Sequence, residues 1–156
     1  MHARQAIRYA IADLMRATET AGGNVFPSRL FSLEESELPS ISVFTTDDAN
    51  AEAVSRVSLG RSSTSSAAAL ISRELPVIIE AHAVMDDNVD DVLDSIAVEI
   101  EQAMAQVITV SSRVIPARLV STQTTFSGDS DLQVGVIRLI YSAAYSTRED
   151  TPDQLA

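Results

Sequence analysis

One apolar stripe in the second half of the chain constrains the fold more than any other feature. Val89, Val92, Leu93, Ile96, Ile100, Ala103, Met104 and Val107 recur at the 3.6-residue period of an α-helix. Asp87 or Asn88 can cap this helix, and Asp90 and Asp91 fall in its first turn, where the helix dipole favours anions. A helix with one apolar face needs a second layer to bury it, and the flanking sequence reads as strands. Over residues 75–84, Val77, Ile79, Ala81 and Ala83 share one face and Ile78, Glu80, His82 and Val84 the other, with Pro76 at the start. Residues 118–126 are rich in Thr and Val, Gly128-Asp129-Ser130-Asp131 is a turn, and 132–145 is a long apolar run.

The first half is built from the same two patterns. Ala3, Ile7, Ala10, Ile11, Leu14, Met15 and Thr18 predict a helix over residues 2–20, ended by Gly22-Gly23. Residues 24–39 read as an irregular connection or a short strand, 41–46 as a strand, Asp47-Asp48-Ala49-Asn50 as a turn and 53–59 as a further strand. The Ser/Ala-rich stretch 60–69 has few side chains able to anchor a core and is expected to be a mobile loop. This order predicts the α+β class, with two helices packed on one face of a mostly antiparallel or mixed β-sheet. A single domain is expected over residues 1–147, with 148–156 as a flexible acidic tail. In the last strand Ile137, Leu139, Tyr141, Ala143 and Tyr145 point one way, and Leu132, Val134, Val136, Arg138 and Ile140 the other. A sheet covered on one side should alternate apolar with polar. The second face of this one is therefore expected to need cover, from a loop or another subunit, with Val134, Val136, Arg138 and Ile140 as the candidate interface.

Composition excludes several function classes. The formal charge is -11 and all 11 basic residues are arginine, a balance unsuited to wrapping nucleic acid. Arginine without lysine fits either G+C-rich codon usage or directional ion pairs at interfaces. There is no cysteine, so no disulfide or thiolate chemistry is available. No stretch is apolar enough for a membrane span, and the first residues lack a signal-peptide core, so a soluble protein made in a host cytoplasm is expected.

Chemistry is correspondingly sparse. Without lysine there is neither a P-loop nor a Schiff base, and the five glycines form no Gly-x-Gly-x-x-Gly pattern. Glu80 and His82 share a strand face, the arrangement of a structural hydrogen-bonded pair as well as of an acid and base. Asp86, Asn88 and Asp90 alternate as in a calcium loop, but Asp91 stands where glycine is required and Ala97 where a bidentate glutamate belongs. No enzyme activity, metal or cofactor is expected.

An N-terminal helix, Val25-Phe26-Pro27-Ser28-Arg29, and then Glu37-Leu38-Pro39-Ser40-Ile41-Ser42-Val43-Phe44-Thr45 leading into the first long strand form an opening that resembles the tail terminator proteins of long-tailed bacteriophages, also called minor tail protein U. The similarity covers about residues 3–147 and rests on order and spacing, including the strand and helix from residue 75, the Thr-rich strand, the Gly128-Asp129-Ser130-Asp131 turn and the Tyr-containing last strand. It implies a virion protein that forms a ring, usually of six subunits. Such a ring binds the last tail tube protein ring, stops polymerisation and offers the head-tail connector a docking surface, while DNA passes through without specific binding. Another neck or tail component, such as a head-tail joining or tube protein, is the alternative, and a small ferredoxin-like ligand-binding domain or enzyme a more distant one. Arg4, Arg8 and Arg16 on the first helix either meet an acidic partner or form a solvated face. Asp47 and Asp48, and Asp129 and Asp131, either face the channel or the tube-facing rim or simply make turns.

Overall fold

The computed structural model describes residues 1–28, 34–57, 68–127 and 133–156. Helix α1 (Ala3–Met15) buries Ala3, Ile7, Ile11, Ala12 and Met15 along one face, and its N-cap His2 accepts the Arg4 amide on Nδ1 at 3.2 Å. It stops short of the predicted end at residue 20. Thr18, buried, turns its hydroxyl onto the Met15 carbonyl at 2.7 Å, and the Ala17 and Thr18 amides close three-residue turns to Leu14 and Met15. A threonine that satisfies a terminal carbonyl competes with helix continuation. Gly22 and Gly23, both at positive φ, then redirect the chain.

The remaining elements follow as β1 (Val25–Phe26), a 3₁₀ turn (Glu35–Glu37), β2 (Ser40–Thr45), β3 (Ala53–Val57), β4 (Leu70–Val84), α2 (Val89–Met104), β5 (Thr109–Val110), β6 (Arg113–Val114), β7 (Ala117–Ser127), β8 (Val134–Arg148) and β9 (Thr151–Leu155). The main sheet has the order β1-β2-β4-β8-β7, with β3 also on β4 and β9 also on β8. Among the described residues every pairing in it is antiparallel except β1 with β2. β4 and β8 form its spine, paired from Leu70 with Arg148 to Val84 with Val134.

The class is α+β as expected, with both helices on one face of the sheet. Ile41 and Val43 of β2, Leu75, Val77, Ile79 and Ala81 of β4, and Ile137, Leu139, Tyr141 and Ala143 of β8 form one core with the buried faces of α1 and α2. Asn88 occupies the N-cap of α2 without a side-chain bond to it, while the Asp86 carboxylate accepts the Asn88 amide at 2.9 Å. β5 and β6 form a hairpin whose two turn residues, Ser111 and Ser112, have φ of 48° and 62°, the left-handed pair a type I′ turn requires.

Two expectations change. Residues 148–156 are not a loose tail: β9 pairs with Thr147 and Arg148 of β8, and the Ala156 amide donates to the Ser146 carbonyl at 2.9 Å. An edge strand is held by main-chain bonds, so its polar side chains, with Pro152 among them, do not prevent pairing. Val134 and Ile140, expected to need cover from a loop or another subunit, are 8% and 7% exposed, so their cover comes from within the single chain. β8 is interior to the sheet, and Ile140 packs with Phe44 and Ile78 in a small second cluster. The stretch expected to be a mobile loop falls largely outside the described residues, as do Asp129 and Asp131.

Candidate assembly surface

A polar network occupies the sheet face away from the helices. Arg138 of β8 stands opposite Glu80 of β4 and donates to it through Nε at 2.8 Å and Nη2 at 2.5 Å. Its Nη1 reaches Asp47 at 3.1 Å. The sheet register explains how Asp47 arrives there. β2 and β3 pair in series with the same edge of β4, Thr45 opposite Val77 and Ala53 opposite Glu74. Residues 46–52 must therefore fit opposite Leu75 and Pro76 alone. Proline has no N–H for the ladder, so the edge strand leaves at that point. The excursion is fixed by Asp47 Oδ1, which accepts the Ala49 and Asn50 amides and Asn50 Nδ2 at 2.7–2.9 Å. Burial works to raise the Asp47 pKa, but the Asn50 and Ala49 bonds and the Arg138 charge prevail and hold it below the usual carboxylate value.

His82 sits beside this network, its Nε2 at 3.4 Å from Ser42 Oγ and 3.6 Å from Glu80 Oε2. Burial lowers its pKa, against the pull of Glu80. A nucleophile–base relay needs the hydroxyl and the carboxylate on opposite ring nitrogens. Here both approach the same nitrogen, and the carboxylate is already engaged by Arg138. Val136 and Arg138 are half-buried on this face, so of the four residues singled out on β8 they are the ones with surface to offer.

The arginine row of α1 is partly answered within the chain. Arg16 pairs with Asp13 one turn earlier, Arg4 comes to 4.0 Å from Glu52, and the Arg8 guanidinium lies over the Tyr9 ring, 5.5 Å from its centre. Glu52 was not foreseen from the sequence. Its side chain, 10% exposed, accepts the Tyr145 hydroxyl at 2.5 Å and lies 3.5 Å from Arg73. The far end of the same 46–52 excursion thus ties to the helix side of the sheet, and only the register reveals it. Asp48 is exposed. Between the turn after α1 and the side of α2 lies an open groove of about 330 Å³ lined by Thr18, Glu19, Glu99, Gln102 and Gln106. Glu99 there is committed to the Thr20 amide and hydroxyl. Among the described residues no group of three or more His, Asp or Glu is arranged to hold a metal ion.

Both margins of the sheet expose apolar side chains. β7 is a terminal strand, and Leu119, Val120 and Phe126 on it are 41%, 55% and 50% exposed. A bulge between Leu119 and Ser121 pushes Val120 out of register with β8. At the other margin β3 presents Val54, 56% exposed. Neither β3 nor β7 contains an acidic residue, although the chain has 22, and each carries one arginine, Arg56 and Arg118. Natural edges are usually guarded by charge, Pro, very short length or a β-bulge; residues 119–127 carry neither charge nor proline, and the bulge at Val120 is their one such device. The chain matches no family model and no curated protein sequence.

Proposed function

We propose that the chain is a non-enzymatic structural protein of a long-tailed bacteriophage virion, forming a ring that caps the tail tube, stops its polymerisation and gives the head-tail connector a surface to dock on. Six subunits is the number the family resemblance implies. The resemblance in order and spacing over residues 3–147 supplies the identity of the assembly. The observation that carries the self-associating part is the acid-free β7 margin, with exposed Val120 and Phe126, on a protein of charge -11, because copies that repel one another at long range need a strip without further negative charge at which to meet. The shared-nitrogen geometry of Ser42, His82 and Glu80 supports a structural rather than a catalytic use of the open face.

Negative-stain microscopy of the purified protein tests the ring, and adding the protein to polymerising tail tube protein tests the cap. Rings with a central hole, and tubes that stop growing with extra density at one end, are the expected outcomes. A chain that stays single at all concentrations and leaves tube length unchanged refutes the proposal.

A further inference from the structure

We infer that copies of this chain join head to tail by sheet extension, the β3 margin of one copy adding as an antiparallel strand to the β7 margin of the next. The inference deepens the ring reading above and rests on it for the existence of self-assembly; the surfaces come from the sheet itself.

Four observations converge on this pair of edges. First, β3 and β7 lie at opposite ends of one sheet and each has its outer side unpaired among the described residues. Second, direction fits. β3 and β8 both run antiparallel to β4, and β7 runs antiparallel to β8, so β3 and β7 run opposite ways and a neighbouring copy in the same orientation continues the alternation. Third, composition fits on both sides. Neither strand carries an acid, and each exposes β-branched or aromatic side chains, Val54 on one and Val120 and Phe126 on the other, which suit cross-strand contacts. By contrast β9, which continues the β7 side of the sheet, carries Pro152 and Asp153, the protection that β7 lacks.

The fourth observation is the stagger. β3 lies opposite the first part of β4, from Leu70 to Glu74, whereas β7 pairs with the part of β8 that faces Leu75 to Val84. Joining β3 to β7 therefore displaces each copy along the strand direction relative to the last. A sheet that closes on itself requires such a shear together with tilted strands, and a head-to-tail joint closes into a ring when its rotation allows. Self-pairing of β7 about a two-fold axis would consume the same edge and stop at a dimer, leaving β3 unused.

The test uses two variants of the full chain, each with acids at exposed sites on one edge: Val120→Asp with Thr124→Asp on β7, and Val54→Asp with Ser55→Asp on β3. Far-UV circular dichroism checks that each remains folded, and masses come from light scattering and native mass spectrometry. The wild-type chain is expected as an oligomer, each variant alone as the single chain of 16.7 kDa, and an equal mixture as a heterodimer that grows no further, because one intact β3 meets one intact β7. Concentration-dependent hydrogen-exchange protection of residues 53–57 and 119–126 in the wild type gives the same answer should a variant fail to fold. A β3 variant that assembles like the wild type while the β7 variant does not, with no heterodimer on mixing, overturns the inference in favour of β7 self-pairing. An assembled wild type whose size neither pair of substitutions changes overturns the inference and leaves the ring reading standing, whereas a wild type that is single throughout removes both.

Discussion

Replacing Gly135 by alanine tests the seating of α2 on the sheet. Gly135 lies in β8 opposite Phe126 and beneath the start of α2. A Cβ there would come within 2.5 Å of Val89 Cγ2, 3.2 Å of Leu93 Cδ1 and 3.4 Å of Phe126 Cδ1. Val89 is the first residue of α2, and a β-branched side chain in a helix has one strongly favoured rotamer. Either the Val89 side chain or the start of the helix must therefore shift. Inserting a methyl group into packed surroundings costs about 1–3 kcal/mol. The lower entropy of the unfolded chain returns about 0.4–1 kcal/mol. The expected net loss is about 1–2 kcal/mol, which for a chain of this size lowers Tm by roughly 2–8 °C. Urea and thermal unfolding followed by far-UV circular dichroism, at one fixed protein concentration, measure it. In a Val89→Ala background the clashing methyl is gone, and Gly135→Ala should cost at least about 1 kcal/mol less there. A Gly135→Ala protein as stable as the wild type, or a penalty unchanged by Val89→Ala, would refute the close approach of α2 to β8.

Arg138→Gln leaves Glu80 and Asp47 facing each other without a cation, and because Arg138 is partly exposed the expected loss is about 1–2 kcal/mol; adding Glu80→Gln should recover part of it, and a double variant no better than the single one counts against the network. His82 has a folded pKa below 6.5, so the unfolded chain takes up its proton first and stability must fall as pH drops below about 6.5, levelling off below the folded pKa. His82→Gln should remove that part of the slope, and an unchanged profile of stability against pH would show that His82 does not titrate on unfolding. Ser111→Asn with Ser112→Gly should raise stability by about 0.5–1 kcal/mol, because both positions hold positive φ; an unfolding midpoint that drops instead speaks against the type I′ turn.

How far the sequence alone could be read depends on the kind of signal each feature leaves. The α2 stripe and the alternation around Val77, Ile79 and Ala81 are legible because burial repeats at the period of the element itself. The inward and outward sets of β8 were readable for the same reason. The end of α1 was not, since it turns on a hydroxyl of Thr18 that the apolar pattern counts as one more stripe position. β9 escaped notice because main-chain pairing leaves no mark on side-chain hydropathy. The Arg138 network was half visible: Arg138 stood out as a charge in an apolar strand, but Glu80 and Asp47 become its partners only through a register that joins distant segments. The arginines of α1 were noticed as a row, while the acids that answer two of them, Asp13 and Glu52, were not assigned to them. In the sequence β7 is legible as a Thr-rich strand, and only its place at the end of the sheet makes it a margin.

The spine of the sheet also dictates the order in which the molecule can form. β4 and β8 are each other's longest partners, yet α2, the β5–β6 hairpin and β7 all lie between them in the chain. During synthesis β4 leaves the ribosome long before β8, so α1, β2 and β4 have no central strand to complete their layer until α2, the β5–β6 hairpin and β7 have also emerged. Loop closure over such a separation is entropically expensive and slows folding relative to local pairings. Meanwhile the buried face of β4, with Leu75, Val77 and Ile79, lacks the part of the shared core that Ile137, Leu139 and Tyr141 of β8 supply. Late arrival of β8 also delays the β7 margin, so this exposed, apolar edge takes its place in the sheet only once the core beneath it has closed.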